Sequence, residues 1–226
     1  MPELIVPENV EDAVQLQEQL ASQVERFPPS GFAPTTATGL DVAYGSPDEA
    51  SVVAAAAVTV DLATGAEIES ATATGRTEFP YISGLFAFRE LPILLAALTR
   101  LTTAPELLIV DGNGIAHPRR LGLASHLGVL TGTPAIGVAK TPIGPYEPPA
   151  AERGASAPLL DGDEEVGAVL RTQTGVKPVF VSIGHRMDLP TACRYVLDLS
   201  RTYRLPQTTR LADQLSRRVL RESPSR

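Results

Sequence analysis

The chain has 226 residues, 43% of them hydrophobic, which suffices for one large domain. Its one cysteine, Cys193, excludes an intramolecular disulfide and a cysteine-rich zinc site, and no apolar run reaches the ~18 residues of a membrane span. The formal net charge of -7 argues against a nucleic-acid partner on bulk electrostatics alone.

The opening MPELIVPENVEDA has no basic stretch followed by an apolar one. No secretory leader is therefore expected, and the cytoplasm is the expected compartment. Apolar residues at Val10, Ala13, Val14, Leu16, Leu20, Ala21 and Val24 predict a helix over 10–27, ended by Pro28-Pro29. Strands are predicted over 38–44, 51–62 and 66–77. The turn signals between them, Gly45-Ser46-Pro47-Asp48 and Ala63-Thr64-Gly65, suggest an antiparallel meander. A helix over 91–101, a buried strand over 106–110, a helix over 119–130 and a strand over 134–139 come next. Residues 146–165, rich in Pro, Ala, Gly and acids, read as a loop or insertion. A strand pair over 166–171 and 178–182 and closing helices over 189–203 and 210–220 complete the chain. The order predicts an α/β fold, a mixed central sheet flanked by helices. A single domain over 1–226 is expected, its core spanning 38–220.

Three carboxylates stand out. Asp41 interrupts the apolar strand GLDVAY, where burial without a partner would cost free energy; the alternative is a solvated sheet face. Asp111 ends the apolar run LLIVD. Glu90 follows two phenylalanines at a helix start, a place where the helix dipole alone favours an acid. If the strands of Asp41 and Asp111 are neighbours, all three acids meet at one point. Clustered carboxylates repel unless a cation neutralises them, and oxygen-only ligands suit Mg²⁺ or Mn²⁺ rather than zinc. Such a centre suits phosphodiester cleavage. Lys140 ends the next strand, PAIGVAK, where it would steady a phosphate or simply extend into solvent.

His117 follows the glycine turn DGNG and is the first candidate among the histidines. His126 falls inside a predicted helix as a packing residue. His185 falls in a predicted loop beside Arg186, with a site role left open. Gly112 and Gly114 do not form a dinucleotide fingerprint, because His117 stands where the third glycine would be needed, and no P-loop exists. These glycines suit close approach of a planar or phosphate group to the backbone. Tyr81, after Pro80 at a turn, is either a base-stacking wedge or a tyrosine at the core edge. Arginines number 17 and lysines two, Lys140 and Lys177, a balance that resembles proteins working in concentrated salt. At about 1 M salt the Debye length is about 3 Å, so net charge would not prevent a local basic cleft from holding a polyanion.

The stretches GLDVAYG, PYISGLFAFRE, DGNGIAHPRRLGLASHLG, IGVAKTPI, GAVLRT, PVFVSIGHRMDL and YRLPQTTRLAD together resemble the endonuclease V family, nucleases acting at deaminated adenine (inosine). The resemblance runs from about Asp41 to Asp213. It implies a ribonuclease H-like fold and a Mg²⁺-dependent endonuclease, with Mn²⁺ as the second candidate ion. It further implies cleavage of the second phosphodiester bond 3′ to the lesion, leaving 3′-hydroxyl and 5′-phosphate ends. On this resemblance Asp41, Asp111 and Glu90 are metal-binding acids and Lys140 lies near the scissile phosphate. Tyr81 is the strand-separating wedge. Gly84, Leu85, Gly112, Gly114, His117 and Ile143 form the pocket of the flipped base. His185 falls near the metal site, and Arg119, Arg120 and Arg186 join Lys140 along a cleft for phosphates. Two departures stand out, Ser83 where the wedge motif usually has proline and Asn113 where the turn usually has histidine. The expected partner is DNA containing deoxyinosine, bound by a monomer. Cleavage of inosine in RNA and non-catalytic binding are the alternatives. An ATP-using phosphotransferase is a further one, disfavoured because Ser46-Pro47-Asp48-Glu49 replaces a phosphate-binding glycine loop.

Overall fold

A computed structural model describes residues 4–46 and 51–222. Asn9 starts α1 (Val10–Ala21), its side chain accepting from the Asp12 N–H at 2.9 Å. The helix ends before the expected residue 27 because the following segment is used elsewhere. Glu25 donates its N–H to His185 Nδ1 and accepts from the Arg186 N–H at its carbonyl. The predicted meander forms as β1 (Thr36–Tyr44), β2 (Val52–Asp61) and β3 (Glu67–Arg76). Asp61 closes its second turn by accepting from the Thr64 N–H at 2.7 Å. Pro47 and Asp48 of the first predicted turn lie outside the described residues.

Next come α2 (Ala87–Leu98), β4 (Leu108–Asp111), α3 (Leu123–Thr131) and β5 (Ala135–Ala139). Strands β1, β4 and β5 run parallel. Helix α3 starts later than the spacing predicts, since Arg120 sits at φ 55, a left-handed conformation that a right-handed helix cannot contain. The segment expected as a loop over 146–165 contains β6 (Ser156–Asp161), which pairs antiparallel with β7 (Glu164–Leu170). The signal was Asp161-Gly162 between apolar Leu159 and Val166, a hairpin turn in sequence form. Then follow β8 (Val179–His185), α4 (Leu189–Leu199), capped by Asp188, and α5 (Gln207–Glu222).

All eight strands join one sheet in the order β3-β2-β1-β4-β5-β8-β7-β6. Alternation along the strands divides the core in two. Leu40, Leu108 and Val110 pack with Leu91 and Leu94 of α2 and Leu127 of α3. Val58, Ile109, Ile136 and Ile183 pack with Val196 of α4 and Ala212 of α5. Asp41 and Asp111 share parity with Gly39 and Ile109, so both point toward the α5 layer. Helix α5 lies very close to β1. A Cβ built on Gly39 would stand 2.2 Å from the Thr208 carbonyl carbon, so no larger residue fits there without moving the helix. Among the described residues, no helix is long and apolar enough to cross a membrane.

Candidate active site

The parallel register of β1 and β4 brings Asp41, inside β1, beside Asp111, the last residue of β4. Asp41 is buried, not on a solvated face. Its Oδ2 accepts from Ser216 Oγ of α5 at 2.9 Å. Burial pushes its proton affinity above the usual carboxylate range, the adjacent Asp111 charge adds to this, and the Ser216 hydrogen bond opposes it. Glu90 enters from the other layer, in the first turn of α2, and Tyr44 at the end of β1 donates its hydroxyl to Glu90 Oε1 at 3.1 Å. Burial pushes Glu90 up to about 8, against the Tyr44 hydrogen bond, with the charges of Asp41 and Asp111 contributing. Lys140 follows β5 and pairs its ammonium with Asp111 Oδ2. Asp41, Asp111 and Lys140 are thus adjacent, and Glu90 lies near enough to feel the charges of both aspartates.

Asp213 belongs to the same centre and was not foreseen. Its charge raises the proton affinity of both Asp41 and Lys140. It stands three residues before Ser216 on α5, and the Ser216 hydroxyl also contacts its backbone carbonyl at 3.1 Å. In sequence an acid on a strongly amphipathic helix looks like an ordinary solvated residue. The pointer was the small-residue face Thr209, Ala212 and Ser216, which marks a helix packed tightly on something.

Beside the acids lies a cleft of about 210 Å³, lined by Gly84, Phe86, Asp111, Gly112, Asn113, His117 and Leu123. Gly84, Gly112 and His117 were expected there and Asn113 stands out in the sequence as a departure in the same turn; Phe86 and Leu123 were not expected. Leu85 is instead 1% exposed and packs with Ala13, Phe79 and Phe88. Gly114 is buried against β8, where an added Cβ would stand 1.9 Å from the Ile183 carbonyl oxygen. Ile143 packs with Ala139, Leu159 and Phe180. The alternation of a loop is not periodic, so which of Leu85 and Phe86 turned inward was not readable. Tyr81 is 75% exposed at the loop tip, with its ring edge-on to Phe86 at 5.9 Å.

The arginines expected along a phosphate cleft have partners within the fold. Arg119 donates to the Gly84 carbonyl and to Gln17, Arg120 pairs with Asp161 and Glu164, and Arg186 pairs with Glu25. His185 is the last residue of β8, buried, and registers with Ala135 at the start of β5. Lys140 follows the other end of that strand, about 17 Å away at ~3.3 Å per residue, so His185 lies outside the acid centre. His117 is held neutral, down at about 4, first by burial and then by the Arg119 charge.

An all-oxygen donor set of this kind suits a hard divalent ion. Among the described residues no three carboxylate or imidazole groups converge tightly enough to cage an ion alone. Mg²⁺ does not require a cage; one or two carboxylates with waters and substrate phosphates suffice, and the Asp41–Asp111 pair supplies them.

The Endonuclease V family pattern matches residues 18–214. The endonuclease V of Streptomyces avermitilis is 55% identical over 221 residues, covering 96% of this chain and 95% of its own. That of Nocardia farcinica is 50% identical over 216 residues, covering 96% and 95%. The Streptomyces avermitilis crystal structure superposes with a TM-score of 0.90 at 54% identity, over 96% of this chain and 95% of that one. A Ciona intestinalis endonuclease V, crystallised with a 23mer DNA containing an inosine followed by a ribo-adenosine, gives 0.82 at 27% identity, over 96% and 99%. The mixed sheet and its flanking helices are thus the ribonuclease H-like fold of these nucleases, and the chain belongs to the endonuclease V family.

Proposed function

We propose that this nuclease cleaves DNA at deoxyinosine, cutting the second phosphodiester bond 3′ to the lesion and leaving 3′-hydroxyl and 5′-phosphate ends. The observation that carries this reading is the adjacency of the two features. Asp111 belongs both to the acid centre and to the wall of the cleft. A base turned out of the helix into that cleft brings its own backbone to the carboxylates. Unstacking costs a few kcal/mol and is cheapest at a mispaired base, which favours a deaminated one. Tyr81, exposed at the loop tip, would fill the gap the base leaves. Phe86 offers its ring to the base inside the cleft.

Asp41 and Asp111 would hold Mg²⁺ or Mn²⁺. Such an ion, when bound, makes water a nucleophile near neutral pH and stabilises charge on the phosphate. Ser216 orients Asp41, and Tyr44 fixes one Glu90 oxygen so that the other can orient a water. Lys140 neutralises Asp111 before substrate arrives and can shift to a phosphate oxygen once it does. The Ciona complexes carry a ribo-adenosine after the inosine, which favours assaying inosine in RNA beside DNA.

The test is a nicking assay on oligonucleotides with one deoxyinosine, with Mg²⁺ and with chelator. Cleavage one nucleotide beyond the lesion's 3′ neighbouring bond, only with the ion and not on the adenosine control, is expected. Chelator-resistant cleavage, or equal cutting of the control, would overturn the reading.

A further inference from the structure

The loop over 80–86 carries Tyr81 at its tip and Phe86 on the cleft wall, so its position decides whether either reaches a nucleic acid. One atom in it gathers three side-chain donors. The Gly84 carbonyl oxygen accepts from Gln17 Nε2 at 3.0 Å, from His117 Nε2 at 3.0 Å and from an Arg119 terminal nitrogen at 2.7 Å. Three donors on an oxygen with two lone pairs leave it little freedom to move.

The clasp is chemically determined. Arg119 Nε can only donate, and it meets Gln17 Oε1 at 2.6 Å, so the Gln17 amide must turn its NH₂ toward the carbonyls of Gly84 and Leu121. The Arg119 backbone N–H points at His117 Nδ1 at 3.2 Å, so that nitrogen carries no proton and Nε2 is the donor. Every member is thereby fixed by its neighbour. Gln17 itself is fully buried and comes from α1, a helix remote in sequence from the acids. The apolar residues beneath the loop are supported from the same helix, Phe79 and Leu85 packing with Ala13. Gln17 also precedes the segment matched by the family pattern by one residue.

We propose that Gln17 is a positioning residue for the loop over 80–86, so that strand separation by Tyr81 and base capture beside Phe86 depend on the N-terminal helix. The inference rests on the deoxyinosine nuclease reading above. A glutamine with this role matters most where two strands must be opened, and least where the base is already unpaired.

Two substitutions test it. Gln17→Leu removes donor and acceptor at similar size. Gln17→Glu keeps an acceptor for Arg119 but sets a carboxylate against the Gly84 carbonyl, and so loosens the loop while preserving the Arg119 contact. Both should lower cleavage of duplex deoxyinosine DNA about tenfold or more, given the sensitivity of rate to small misplacements, and change cleavage of the single-stranded oligonucleotide less than about threefold. With Asp111→Asn added to block cutting, 2-aminopurine beside the inosine should brighten on binding with Gln17 present and stay dim with Gln17→Glu. Equal loss on duplex and single strand, or undiminished brightening, overturns the proposal. If Gln17→Leu does not fold, the Gln17→Glu arm decides alone. A wild-type protein that cuts neither substrate would instead overturn the nuclease reading, a result distinguishable at once.

Discussion

The acid centre and the loop over 80–86 are adjacent, yet they are built in opposite ways. The centre draws Asp41, Asp111, Glu90 and Asp213 from β1, β4, α2 and α5, so both helical layers and the middle of the sheet fix it. Its interactions are between charges, with burial and repulsion raising the proton affinity of Asp41 and Glu90. The loop has little charge at its tip and a largely exposed tyrosine, and it hangs on one carbonyl oxygen and an apolar underside. The difference separates two tasks. Chemistry requires several charges held at fixed spacing, which the middle of the sheet and the helices packed on it provide. Recognition of a displaced base requires an exposed aromatic surface, which a loop provides if something else keeps it still.

Substitutions at the centre should therefore stop cutting without disturbing recognition. Asp41→Asn and Asp111→Asn should each lower cleavage by more than about a hundredfold, since each removes a charge that holds the ion. Binding of deoxyinosine DNA, read by fluorescence anisotropy, should stay within a few-fold of wild type. Retained cleavage in either variant would move the centre elsewhere. Ser216→Ala is the next largest. It removes the hydroxyl that orients Asp41, and loss of such an outer partner costs about 10–100-fold in ion affinity. Calorimetric titration with Mn²⁺ gives this directly, and an unchanged affinity would reduce Ser216 to a packing residue. Tyr81→Ala should do the reverse. Exposed as it is, its loss should change stability by less than about 0.5 kcal/mol while slowing duplex cleavage several-fold more than single-strand cleavage. An equal effect on both substrates would remove its wedge role and blur the comparison.

The same division sets what was legible in the sequence. Asp41 and Asp111 were readable because a carboxylate within or after an apolar strand conflicts with its surroundings. Glu90 and Lys140 were readable once strand order was guessed. Asp213 was not, because an acid on an amphipathic helix conflicts with nothing. The strands of the sheet follow from the sequence pattern except β6, whose Pro, Ala and Gly content masks the Asp161-Gly162 turn. The loop was hardest, since Leu85 and Phe86 are neighbours of similar chemistry and only the fold decides which one faces the cleft. The partners of the arginines are set by geometry that a linear sequence does not display. Their forked donors are used on backbone oxygens, as when Arg204 reaches the carbonyls of Lys140, Lys177 and Pro178, or Arg201 those of Leu62 and Ala63. A lysine cannot bridge two such acceptors in a fixed plane, so at these positions arginine serves internal bonding that lysine could not.

Beneath the loop the comparison can be probed by pH. His126 of α3 is 1% exposed, sits edge-on to Phe88 at 5.2 Å and has no hydrogen-bond partner at Nδ1. Burial, with a smaller contribution from His117, holds it down at about 4. The unfolded chain takes the proton near the usual 6.5, so the folded state is favoured above that pH and loses the advantage as pH falls toward 4. One unit corresponds to about 1.4 kcal/mol, so roughly 1 kcal/mol should be lost between pH 7 and 5.5 through this side chain alone. His126→Leu should match or exceed wild-type stability at pH 7, because an unpaired buried nitrogen is replaced by a methyl group. It should also flatten the urea midpoint over that pH range by the slope of one proton, the residual slope coming from His117 and His185, which are depressed in the same direction. Parallel slopes for the two proteins would mean that His126 is already protonated in the fold or reachable by water. The apolar floor under the loop would then be softer than the packing of Phe88 and Leu85 implies, and the Gly84 clasp would have to carry the loop alone.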